Sequence, residues 1–301
     1  MRLSGLAALA LLAACASAET AQAPAEGAEA AVPSLGEILE RSPLSDWRIV
    51  DPENTIYMDL PNGRVIIELS ETFTPEHTRN IRELVRAGWF NGAHIVRSQE
   101  NYVVQWGRDE GDPGPRGAAT ETLTPEFWRP RRGLNVTRLP DPDTYAREVG
   151  FVDGFPMASD GREAWMAHCP AMVGAGRGDT AESGNGGELY VVIGHAPRHL
   201  DRNIATVGRV LQGMELLSVM PRGTGPLGFY EDPAQRTPIP RVRMASDVPA
   251  SERVVLEALR TDSATFQAVI ESRRFRRESW FLDPVGRINL CNVPLPVRVR
   301  S

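Results

Sequence analysis

Between two runs of strand-forming residues, 55–60 and 64–69, the chain carries Pro61-Asn62-Gly63. Asn and Gly both tolerate positive φ, so this pair between β-rich runs predicts a hairpin and, with it, an antiparallel sheet. A helix is predicted next over residues 75–87, with Thr74 as cap candidate, Pro75 in the first turn and Gly88 as the stop. Ile81, Leu84 and Val85 recur at helical spacing, which suits packing on a sheet. Further strands are predicted at 93–97, 102–106, 165–169, 189–193 and 205–210, with a short helix at 214–220. Residues 108–165 are rich in Pro, Gly and Arg without clear periodicity and read as loops with short strands. After Pro240 a short strand precedes a long helical pattern over 249–278, and the apolar tail that follows can dock as strand and loop.

The chain contains no lysine, so all 33 of its basic residues are arginine, set against 39 acidic ones for a net charge of -6. That balance argues against a nucleic-acid binder that works by phosphate neutralisation. It also removes Schiff-base and phosphate-loop lysines, and leaves a guanidinium as the cation available to chemistry. Residues 1–18 read as a signal peptide: Arg2, an apolar core at 3–12 too short to span a bilayer, then small residues. Two processing sites are legible. One is Ala16-Ser17-Ala18 before Glu19; the other, which we favour, is Leu12-Ala13-Ala14-Cys15, similar to a bacterial lipobox that would lipidate Cys15. Either predicts export to the periplasm, free or anchored to the outer membrane, with that lipid the only membrane attachment. In an oxidising compartment Cys169 and Cys291 form an even pair, and a disulfide or two separate buried thiols both remain open. Residues 19–54 read as tether and lead-in, 55–246 as the main domain and 247–301 as a helical C-terminal extension.

The order of hairpin, helix, Trp89-Phe90, Asn91-Gly92, Ile95-Val96-Arg97 and Tyr102-Val103-Val104-Gln105-Trp106-Gly107 resembles the cyclophilins, a family of peptidyl-prolyl isomerases. The spacing from arginine to aromatic to glutamine is kept without gaps. Further on, Met166-Ala167-His168 is similar to the family's Met-Ala-Asn, Gly187-Glu188-Leu189-Tyr190-Val191 to Ser-Gln-Phe-Phe-Ile, and His199-Leu200-Asp201 to Trp-Leu-Asp. The resemblance implies a mainly β fold, a closed antiparallel eight-stranded β-barrel capped by helices, with the C-terminal extension added. It implies Arg97 as the catalytic residue, and Tyr102, Val103, Gln105, Ala167, His168, Glu188, Tyr190, His199 and Leu200 as substrate-binding residues. The implied partners are proline-containing segments of exported proteins, without nucleic acid.

Rotation about an X-Pro bond faces a barrier of about 18–20 kcal/mol set by amide resonance. Nothing is made or broken, so no nucleophile, metal or cofactor is expected; a dry proline pocket, peptide anchors and a donor to the twisted amide suffice. Tyrosines at 102 and 190, where the family usually has phenylalanine, keep the aromatic wall but add hydroxyls that must find partners. Glu188, in place of a glutamine, can orient Arg97 through an ion pair or occupy its donors. Together with Val96, and with Ile204 where the family usually has histidine, it favours the rival reading of a non-catalytic peptide-binding chaperone or assembly factor. His195 and His199 have the spacing of a helical metal pair, but Pro197 between them disfavours that helix. The glycine-rich run 174–187 reads as a plain loop beside the groove, and Arg273, Arg274, Arg276 and Arg277 as a solvated helix face.

Overall fold

The computed structural model describes residues 33–109 and 111–300; the signal-peptide reading of 1–18, Cys15 and the tether up to residue 32 lie outside the described residues. The described chain opens with α1 (Leu35–Glu40), capped by Ser34 and Glu37, and with β1 (Trp47–Ile49). The predicted hairpin follows as β2 (Thr55–Leu60) and β3 (Gly63–Leu69), then α2 (Pro75–Ala87), β4 (Ala93–Ser98) and β5 (Val103–Gly107). The region read as loops with short strands contains β6 (Arg129–Pro130), β7 (Thr137–Arg138), β8 (Glu148–Val152), β9 (Phe155–Ser159) and β10 (Glu163–Met166). Then come β11 (Met172–Ala175), β12 (Leu189–Val192), β13 (Thr206–Gln212), α3 (Met214–Ser218), β14 (Thr237–Ile239) and β15 (Arg241–Met244). β16 (Leu256–Leu259), α4 (Ala264–Phe275) and β17 (Val297–Val299) complete it.

Nine strands form one antiparallel sheet in the order β14-β4-β5-β12-β11-β13-β3-β2-β15. The expected number was eight. The difference is one run, 237–244, interrupted at Pro240: its first half pairs with β4 and its second with β2, which brings the two sheet edges together. Alternation sorts the side chains. Ile56, Met58, Leu60, Val65, Ile67 and Leu69 face the barrel core, where Ile81, Leu84 and Val85 of α2 join them. Tyr57 and Ile66 point outward and are covered by Leu256 and Ala258 of a second, three-stranded sheet, β1-β16-β17, and by Val50 just after β1.

Three expectations are corrected. The helix over 249–278 is confined to α4, because Val254 and Val255 lead into β16, which pairs with β1 and β17, and Ser263 starts a new helix by accepting the Phe266 N–H. Arg274 of that helix does not lie on a solvated face; it donates to Asp141 at 2.8 and 3.1 Å. The Thr74 hydroxyl bonds Ser70 O at 3.1 Å instead of capping α2, and the Glu126 carboxylate accepts from the Glu76 and His77 N–H groups at 3.1 and 2.9 Å.

β6 to β10 make a five-stranded sheet in the order β6-β10-β9-β8-β7. Its Phe151, Met157 and Trp165 share a core with Phe266 and Val269 of α4 and with Leu290 of the tail. Cys169 and Cys291 form a disulfide that ties the tail to the chain just after β10. Residues 33–54, grouped above with the tether, belong to this folded body through α1 and β1.

Candidate active site

β5 and β12 pair so that Val104, Trp106, Leu189 and Val191 fill the barrel, while Val103, Tyr190 and Val192 form a small cluster on its outer face. Arg97 reaches that outer face through a bulge. Ile95 pairs with Trp106 and is buried in the core, but Arg97 pairs with Gln105, so Val96 is an extra residue in β4. In a regular strand Arg97, two residues after Ile95, would share its inward face; the bulge turns it outward.

A cavity of about 100 Å³ opens here, lined by Arg97, Tyr102, Val103, Gln105, Gly176, Arg177, Tyr190, Leu200 and Ile204. Six of the residues implied by the resemblance therefore meet. The Arg97 guanidinium lies 5.5 Å from the Tyr102 ring centroid and 5.3 Å from that of Phe229. Its Nε donates to Leu227 O at 2.7 Å, one Nη donates to Gln105 Oε1 at 3.0 Å, and the other donates to Gln99. Glu188 does not pair with Arg97 directly. Its carboxylate accepts from Gln105 Nε2, so Gln105 stands between the two charges. Burial draws the Arg97 guanidinium below its usual range, against the opposing pull of Tyr102, Glu188 and Tyr190. Burial likewise pushes the Glu188 carboxyl upward, partly offset by the Gln105 hydrogen bond and the Arg97 charge.

His199 lies at the rim, its ring stacked parallel on Tyr102 with centroids 6.2 Å apart. It sits in a 3-10 turn, Arg198–Leu200, so the helical spacing with His195 does not arise. Ala167 and His168, expected from the resemblance among the substrate-binding residues, do not line this cavity, and neither do Glu188 and His199. Met166 ends β10 in the other sheet, and the strand beside Tyr190 is β11, which pairs Gly174 with Tyr190 and leads Gly176 and Arg177 into the cavity. At Gly174 a Cβ would fall 2.3 Å from the Tyr190 ring, so only glycine lets the ring lie against β11. The run 174–187 held the signal for Gly176 and Arg177 as a loop beside the groove. Phe229, bridged to Arg97, has no local sequence mark.

The family model described as cyclophilin-type peptidyl-prolyl cis-trans isomerase matches residues 55–245. Proteins of Brucella suis and Brucella abortus named as probable peptidyl-prolyl cis-trans isomerases are each 26% identical over 175 residues, 58% of this chain and 74% of theirs. The crystal structure of a cyclophilin from Hirschia baltica superposes with a TM-score of 0.65 at 24% identity, covering 86% of this chain and 96% of that one.

Proposed function

The chain belongs to the cyclophilin-type peptidyl-prolyl cis-trans isomerases, and from that premise we propose that it turns X-Pro bonds of exported proteins at the groove beside Arg97, without a cofactor. The observation that carries this reading is the state of the Arg97 guanidinium. Of its five N–H groups, three are held by Leu227, Gln105 and Gln99, and one on each Nη has no partner among the described residues. The three bonds fix the plane of a guanidinium that lines the cavity, and the two donors left over can serve a bound peptide: one for the prolyl nitrogen, whose lone pair localises as resonance breaks, and one for a carbonyl. Tyr102, Val103, Tyr190 and Leu200 supply an apolar seat for the proline ring. The Cys169–Cys291 disulfide supports the exported setting, since such bonds persist in oxidising compartments.

A protease-coupled isomerisation assay on a proline tetrapeptide tests the assignment. Arg97→Ala is expected to lower kcat/KM by about 10²–10³-fold, the scale for losing a preorganised donor, with peptide affinity changed far less. Equal turnover by both proteins would remove Arg97 from the chemistry, and peptide binding without turnover in the wild type would establish the chaperone reading instead.

A further inference from the structure

The buried hydroxyl of Tyr190 has a partner. Tyr190 Oη lies 2.8 Å from His168 Nε2, and His168 Nδ1 lies 2.9 Å from Asp201 Oδ1, which also accepts the His168 backbone N–H at 3.0 Å. Asp201 Oδ2 in turn accepts from Arg198 Nε at 2.6 Å, and Arg198 reaches Asp143 with both Nη at 3.1 and 3.3 Å. Tyr190, His168 and Arg198 are each 4% exposed or less. Asp201 is ionised: burial opposes its charge, but the bonds from His168 and Arg198 outweigh that and hold it below its usual range. An ionised carboxylate favours an N–H at Nδ1, and in the Nδ1–H tautomer the Nε2 lone pair accepts from Tyr190.

We propose that His168 is a positioning residue for the isomerisation, holding the Tyr190 hydroxyl so that the ring stays fixed as the wall of the proline cavity. The inference rests on the groove being the isomerase site. Two features of the chain then explain each other: the tyrosine at 190 brings a hydroxyl into a dry wall, and His168 satisfies it. Gly174 presses the ring from the β11 side. Arg198 belongs to the same turn as Leu200, which lines the cavity, and His199, which stacks on Tyr102. The same chain of charges therefore reaches both walls.

His168→Leu, Tyr190→Phe and the double variant, each in the full chain, test this by KM, kcat and calorimetric affinity for a proline tetrapeptide. His168→Leu strands the hydroxyl and is expected to raise KM about tenfold with kcat changed less than about threefold. Tyr190→Phe alone should raise KM about threefold, and the double variant should return from the His168→Leu value to that level. A double variant no better than His168→Leu, or His168→Leu with wild-type KM, overturns the proposal. Should His168→Leu fail to fold, NMR of the wild type decides: a slowly exchanging Tyr190 hydroxyl proton coupled to the His168 ring nitrogen supports it, and its absence refutes it. If the wild type binds peptide without turning it over, the isomerase reading fails separately, while the peptide affinities still read the coupling.

Discussion

Arg97 is placed by a residue that does no chemistry itself. Spacing in the sequence picked out the arginine, but the extra Val96 that turns it outward shows only when β4 is paired with β5. Glu188 makes a similar point, because a direct ion pair and a sequestering contact were the two roles open to it, and Gln105 stands between it and Arg97. An amide that donates to a carboxylate must turn its carbonyl the other way, so ionised Glu188 fixes which end of Gln105 meets Arg97. Protonating Glu188 removes that preference and lets Gln105 flip an N–H group toward a cation. Since burial raises the Glu188 pKa, this loss sets in at a higher pH than for an exposed glutamate. We therefore expect wild-type kcat/KM to be flat near neutrality and to fall as acid protonates Glu188. Glu188→Gln, like the protonated carboxyl, presents a carbonyl and a donor at once, so its kcat/KM should stay at the lowered acid level of wild type, with no acid limb of its own. Matching pH profiles for the two proteins would remove Glu188 from this role, and a faster Glu188→Gln enzyme would restore the sequestering one.

Elements with local signals were legible, and those defined by distant partners were not. Pro75 and Gly88 bound α2 as expected, with Gly88 at φ 83. Its cap is Glu126, some fifty residues away, which also meets His77 Nδ1 at 2.6 Å. That histidine is 1% exposed, and Glu126 is the acceptor for two otherwise orphaned N–H groups. Glu126→Ala should cost about 1–3 kcal/mol in urea unfolding, combining a lost cap with a buried donor left unpaired. Glu126→Gln, able to accept at one oxygen, should cost less. A stable Glu126→Ala protein would show that water replaces the carboxylate. The five-stranded sheet escaped notice for a related reason. β9 is buried at all five positions and β8 at four, so neither shows the alternation that marks a half-exposed strand. The residues that bury them are distant in the chain, with Trp47 and Phe73 well before and those of α4 and the tail more than a hundred residues later.

The described residues form a barrel braced from outside by parts that the barrel alone lacks. The family model covers 55–245, yet the likeness to the Hirschia baltica cyclophilin takes in 86% of the chain, so the shared fold reaches beyond that region. The brace is specific. Phe266 of α4 meets Phe151 edge-on with centroids 5.0 Å apart, and Asp141 holds both Arg274 and the Ile288 N–H. Burial works against the Asp141 charge, but Arg274 and Ile288 more than offset it and hold the carboxyl below its usual range. Its contribution is thus complete above the unfolded carboxylate pKa, near 3.9, and is lost as pH falls through the lower folded value. The disulfide fastens the end of this brace to Cys169, the residue next to His168. It closes a loop spanning 122 residues, long enough for the chain-entropy account to place it among the more stabilising kind, whereas disulfides typically contribute about 2–4 kcal/mol. Cys291→Ser should lower the unfolding free energy measured in urea by that amount, and adding reductant should bring wild type down to the variant without moving the variant itself. Because the released segment carries His168 behind Tyr190, the same variant should also raise KM for a proline peptide more than it lowers kcat. If stability fell while KM stayed at the wild-type value, the brace would support the fold alone, and the path from the tail to the groove wall would end at Cys169.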